Sequence, residues 1–78
     1  MFLEIITPDK KIYSGNVKSV RLPGADGSFG VLNNHAAIIS SLKKGKISLV
    51  DDKSESQSFD INGGVAEVLN NNIIVLAE

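Results

Sequence analysis

Residues 22–36 read Leu-Pro-Gly-Ala-Asp-Gly-Ser-Phe-Gly-Val-Leu-Asn-Asn-His-Ala, and no other stretch constrains the chain as tightly. Gly24, Gly27 and Gly30 recur at every third position. Pro23 precedes the first of them, and the chain's only histidine, His35, follows the last. Glycine permits positive φ and close backbone approach, so this spacing describes a tightly folded loop between two apolar strands. Nothing else in the chain looks like chemistry, so the loop and its surroundings must carry any functional argument.

The rest of the chain reads as strands. Turn residues punctuate it roughly every 8–12 residues, the signature of an all-β sandwich or barrel. Strands are expected over 2–6, 10–13, 16–22, 28–32, 36–42, 46–50, 54–61, 64–69 and 72–77. Val20 and Leu22 alternate with Ser19 and Arg21, and Phe59 and Ile61 flank Asp60. Such strands have one wet face. Two stretches break the pattern, 36–39 (Ala-Ala-Ile-Ile) and 73–76 (Ile-Ile-Val-Leu). Either they are covered on both sides, or their outer face meets a partner. Gly63-Gly64 is expected to make a bulge or sharp bend before the last hairpin.

A chain of 78 residues is one small domain. It buries only about 60–65% of its unfolded surface and profits from a partner. With no Trp, three Phe and one Tyr, the core must be aliphatic. A net charge of −1 argues against general attraction to nucleic acid or anionic membrane. The absence of cysteine excludes disulfides and thiolate metal sites. No basic segment leads into an apolar one, and no apolar run approaches a membrane span. The default expectation is a soluble cytoplasmic domain.

Catalytic readings find little to build on. A Ser–His pair would rest on His35 alone, and no serine sits in a strand–turn–helix elbow. Asp26, Asp51, Asp52 and Asp60 fall in separate turns and strands, so no metal site is expected around His35. His35 is read as ordering the loop exit through hydrogen bonds, or as sitting in a protein interface. Phosphate loops open a helix, whereas here an apolar strand follows and Asp26 would repel phosphate. Lys43, Lys44 and Lys46 form a basic cluster without neighbouring aromatics. It reads as a solvated turn guarding an edge strand, or as a local contact for an acidic partner surface.

Residues 22–36 also resemble the signature loop of the epsilon subunit of F-type ATP synthase, called delta in mitochondria. Pro23, Gly24, Gly27, Phe29, Gly30, Val31, Leu32, His35 and Ala36 match its pattern. Asn33 and Ala37 stand where proline is usual, and Asn34 where Gly or Asn is usual. Asn tolerates left-handed backbone, so Asn34 can keep the turn. The resemblance extends along the chain, through Phe2-Leu3-Glu4-Ile5-Ile6-Thr7-Pro8-Asp9, Tyr13-Ser14-Gly15, the 61–68 stretch with Gly63-Gly64 and Glu67-Val68, and the closing 72–78 stretch.

The resemblance implies a flattened β-sandwich of two antiparallel sheets with about ten short strands, packed face to face. It implies a single domain over 1–78 without the C-terminal helical hairpin that longer members carry beyond the position of Glu78. Such a form would couple rotation without inhibiting hydrolysis by helix insertion. The implied role is a non-catalytic central-stalk subunit, peripheral on the cytoplasmic face of the bacterial inner membrane. It would couple the proton-driven ring of c subunits to the gamma subunit, and thus to ATP synthesis. Carried over by position, the ring-contacting loop is Ala25, Asp26, Gly27, Ser28 and Phe29. The gamma-contacting residues are Thr7, Pro8, His35, Ala36 and Ile38. No cofactor, metal, nucleic acid, small-molecule substrate or bilayer insertion is implied. The alternative is a small β-barrel binding single-stranded nucleic acid. It fits the size and the lysine turn but not the charge or the scarce aromatics.

Overall fold

β-Branched and aliphatic residues alternate with polar ones along most of the chain, and these stretches become strands in the structure, a computed structural model describing residues 1–78. Eight strands form: β1 (Phe2–Ile6), β2 (Lys11–Gly24), β3 (Gly27–Leu32), β4 (Ile38–Leu42), β5 (Gly45–Asp51), β6 (Ser56–Ile61), β7 (Gly64–Leu69) and β8 (Asn72–Ala77). The all-β expectation holds. The strands are fewer than the sequence suggests because 10–13 and 16–22 run on as one through Ser14 and Gly15.

That long strand organises the molecule. The first half of β2 pairs with β1. Its second half lies between β3 and β5. Between the halves, Val17 faces Asp51 and Ser19 faces Val50, leaving Lys18 as an extra residue. A bulge of this kind bends and twists a strand, which lets β2 serve both layers of the sandwich. One layer is β1, β8, β7 and β4 with the start of β2; the other is β3, the end of β2, β5 and β6. A single pairing of Gly24 with Leu42 links β2 to β4 at the far end. The layers are therefore one hydrogen-bonded network rather than two separate sheets. All pairings are antiparallel except β1 with β8.

Every strand sends residues to one core of 15 buried hydrophobic side chains. Leu3, Ile5, Val17, Leu22, Ile47, Ile73 and Val75 are all but sealed from solvent. The bulge explains the spacing of Val17, Val20 and Leu22: Lys18 shifts the parity, so all three still point inward. No polar or charged residue is buried. Fully burying one aliphatic side chain contributes roughly 1.5–3 kcal/mol, so this core, together with the backbone ladders, is set against the ordering of the chain.

At the margin of the core the Tyr13 ring tilts against Phe59, centroids 5.6 Å apart. Burial raises the Tyr13 phenol above its usual pKa of 10.0, and the carboxylates of Asp51 and Asp52 push it the same way. The folded chain keeps this proton at pH values where the unfolded chain has lost it. The contribution is therefore intact below about pH 10 and declines as pH rises through the folded value. Tyr13→Phe is expected to lessen alkaline destabilisation, read as a shallower fall of melting temperature above about pH 10.

Candidate docking surface

The outer face of the β1–β8–β7–β4 layer is built by strand parity. In β4, Ile38, Ser40 and Leu42 turn inward, so Ile39 and Ser41 turn out. Register then aligns Ile39, Glu67, Ile74 and Glu4 in one row, and Ser41, Val65, Leu76 and Ile6 in the next. Leu69, Asn72 and Phe2 form a third. Ile39 is 74% exposed, Leu76 56%, Leu69 50% and Val65 41%. Contiguous exposed aliphatics of this kind mark an interaction surface more often than a chance of packing. Two acids interrupt the face. Glu4 is paired with Lys11 at 2.8 Å, whereas Glu67, between Ile39 and Ile74, has no ion-pair partner.

The 36–39 and 73–76 stretches thus resolve in the same way. Their second apolar face is open rather than covered. At the lower rim, Ile6, Thr7, Pro8, Val65, Leu76 and Glu78 help to line a hollow of about 470 Å³. Thr7 and Pro8, which the resemblance nominated, therefore border the apolar face.

The glycine loop proves to be a minimal hairpin. Gly24 pairs with Gly27, so Ala25 and Asp26 alone make the turn. Gly27 takes φ +134°, a conformation that L side chains rarely adopt. The Ala25 amide donates to the Ser41 carbonyl at 2.9 Å, and the Lys43 amide to the Pro23 carbonyl at 2.8 Å. These bonds fasten the hairpin base to β4. Ala25, Asp26, Gly27 and Ser28 are exposed at the tip. Phe29 is half-buried and packs on the core, so it supports the tip more than it presents a surface. The tip and Ile39, Ser40 and Ser41 enclose a hollow of about 420 Å³. The loop and the apolar face thus adjoin.

At the loop's exit Asn34 takes φ 65°, the left-handed turn expected of it. Its amide donates to Asn71 Oδ1 at 2.7 Å, and Asn71 is itself left-handed in the β7–β8 turn. The His35 amide donates to the Leu32 carbonyl at 3.1 Å, and its Nδ1 lies 2.8 Å from the Ala36 carbonyl oxygen. His35 is half-buried, consistent with a part in ordering the exit, and Ala36 is exposed beside it. Ile38 is placed differently from the other nominated residues. It packs against the core, and Ile39 takes the outward position. Val65, Glu67 and Leu69 carry no signal of a partner-facing side in the sequence, whereas Ile39 and Leu76 fall in the two apolar stretches for which such a side is one of the two readings. Parity counted back from an inward Leu42 could have found Ile39.

No group of three or more His, Cys, Asp or Glu side chains converges as a metal site. None of the four aromatics stands fully exposed, so the nucleic-acid alternative lacks a stacking platform and finds no support. No helix is long and apolar enough to cross a membrane.

Fold and surface together define a β-sandwich with one apolar outer face and a hairpin fastened beside it. The family model for the ATP synthase delta/epsilon chain β-sandwich domain matches residues 1–78, and the chain belongs to that family. It is 48% identical over 77 residues to the ATP synthase epsilon chain of Chlorobium limicola, covering 97% of this chain and 86% of that one. It is 40% identical to the epsilon chain of Maricaulis maris over all 78 residues, which is 58% of that relative's length. Among solved structures, a chain of the Euglena gracilis mitochondrial ATP synthase superposes with a TM-score of 0.86 at 20% identity, covering 96% of this chain and 48% of that one. A chain of the Tetrahymena thermophila mitochondrial ATP synthase, from its central stalk and c-ring, gives 0.79 at 20%, covering 99% and 62%.

Proposed function

We propose that this domain works in the central stalk of a rotary ATP synthase, docked through its apolar face on the gamma subunit and through its hairpin tip on the ring of c subunits. In this reading the complex sits at the cytoplasmic face of a bacterial inner membrane, and the domain passes ring rotation to gamma during ATP synthesis. The observation that carries the reading is the exposed row system around Ile39, Val65, Leu69 and Leu76, set on a close-packed sandwich. A body that transmits torque must not deform, and one hydrogen-bonded network around a purely apolar core meets that need. Ala25, Asp26, Gly27 and Ser28 offer the ring a short polar tip. Thr7 and Pro8 lie on the rim of the gamma-facing side.

Calorimetric titration against the gamma subunit of the same organism tests the docking. Stoichiometric binding with a negative heat-capacity change supports burial of the apolar face. Absence of binding at micromolar concentrations, with gamma folded, overturns it. Glu67, unpaired in the middle of this face, requires a cation from the partner once water is displaced. Glu67→Gln is therefore expected to weaken gamma binding by about fivefold to fiftyfold, about 1–2.3 kcal/mol, with most of the loss in the dissociation rate.

A further inference from the structure

The opposite layer has a different outer face. Across β3, β2, β5 and β6 the central row is Gly30, Arg21, Ser48 and Ser58. On one side of that row Leu32 and Val50 flank the strand position occupied by Ser19. These residues help to line a shallow groove of about 600 Å³. Arg21 is the chain's only arginine and is exposed. It makes no ion pair. The acid further along the same face, Asp60, is held by Lys46 at 3.0 Å. Its neighbours in that row are a glycine and two serines, side chains too short to cover an arginine. Leu32 beside it is 64% exposed.

We propose that this groove docks a segment of a partner protein bearing an acidic residue next to an aliphatic one. The carboxylate is taken by the planar fork of Arg21, whose donors match it two at a time. The hydroxyls of Ser48 and Ser58 are placed to donate to the remaining lone pairs. The aliphatic side chain seats against Leu32 and Val50, and the short row neighbours let the segment's backbone come close. Charge complementarity limits the occupant. One cation neutralises one acid, and the acidic turn at Asp51, Asp52 and Glu55 lies at the end of β5 and β6. A long acidic run or a nucleic-acid backbone would be repelled there, and no exposed aromatic offers stacking. The groove lies on the layer opposite the apolar face, so both surfaces can be occupied at once.

The test is a nuclear magnetic resonance titration of the 78-residue chain with the blocked peptide acetyl-Ala-Leu-Glu-Leu-Ala-amide. Its Gln counterpart, acetate and inorganic phosphate are titrated in parallel. The expected result is saturable amide shifts at Arg21, Gly30, Leu32, Ser48 and Ser58. Binding should be about tenfold weaker or more for the Gln peptide and for Arg21→Gln, and intermediate for Arg21→Lys. Arg21 is exposed, so these variants keep the fold, confirmed by unchanged dispersion at the core amides. The proposal is overturned by no saturable shift, by equal binding of the Glu and Gln peptides, or by shifts that map to β1, β8, β7 and β4. It is also overturned if phosphate or acetate moves the same residues at the peptide's concentration, since the groove would then be a small-anion site.

Discussion

Ile39→Asp is expected to weaken binding to the gamma subunit at least thirtyfold, about 2 kcal/mol or more, with the fold retained. The side chain is 74% exposed in the isolated domain, so the folded chain has little to lose by the change. In the complex it would be desolvated within the apolar patch, at the β4 end of its row and next to Glu67 on β7. A new carboxylate there loses its water and meets a like charge, and both terms act only on the bound state. Ile38→Ala gives the matching control from the next position. Ile38 packs on the core, so its truncation is expected to lower stability by about 1–2 kcal/mol, with affinity of the remaining folded protein unchanged. Thermal unfolding and calorimetry on both variants separate the two roles. The face assignment fails if Ile38→Ala weakens gamma binding and Ile39→Asp does not.

The exchange between these two neighbours shows what the sequence carries and what it withholds. Alternation gave β1, β7 and β8 with their observed limits, because each is bounded by turn residues and has a clear inward set. It failed across Ser14 and Gly15, where local turn propensity was overridden by continuous pairing of β2 with β1. It also offered no parity for 36–39, since four apolar residues look alike whichever way they face. The orientation has to come from outside the stretch, from parity counted back from Leu42 or from the pairing of Ile38 with Val68 and Ile39 with Glu67. Likewise, the β2 bulge at Lys18 is invisible as a motif, yet it lets one strand join both layers. Arg21 read as an ordinary wet-face residue because its isolation depends on Gly30, Ser48 and Ser58, which come from three other strands.

The three evenly spaced glycines look equivalent in sequence, and the structure separates them. A Cβ on Gly24 would lie 2.6 Å from the Gly27 carbonyl oxygen and 2.9 Å from the Phe29 ring. The ring could turn, but the oxygen belongs to the residue that closes the hairpin with Gly24. Gly24→Ala must therefore open the hairpin base or shift β3, at a cost of about 2 kcal/mol or more. Domains of this size have only about 0.05–0.15 kcal/mol of stability per residue. The melting temperature is expected to fall by about 8–16 °C. At Gly30 the nearest atom to an added Cβ is the Val20 oxygen at 4.0 Å, and the backbone is not left-handed. Gly30→Ala is accordingly expected to change stability by less than about 0.5 kcal/mol. Thermal unfolding of the two variants decides the matter: equal losses would mean that the spacing itself, rather than contacts at Gly24, constrains the loop. The predicted difference places the demand for glycine at the hairpin's base and turn, where the tip is fastened to β4 beside Ile39. Stiffness is needed there if the tip and the apolar face are to move as one body.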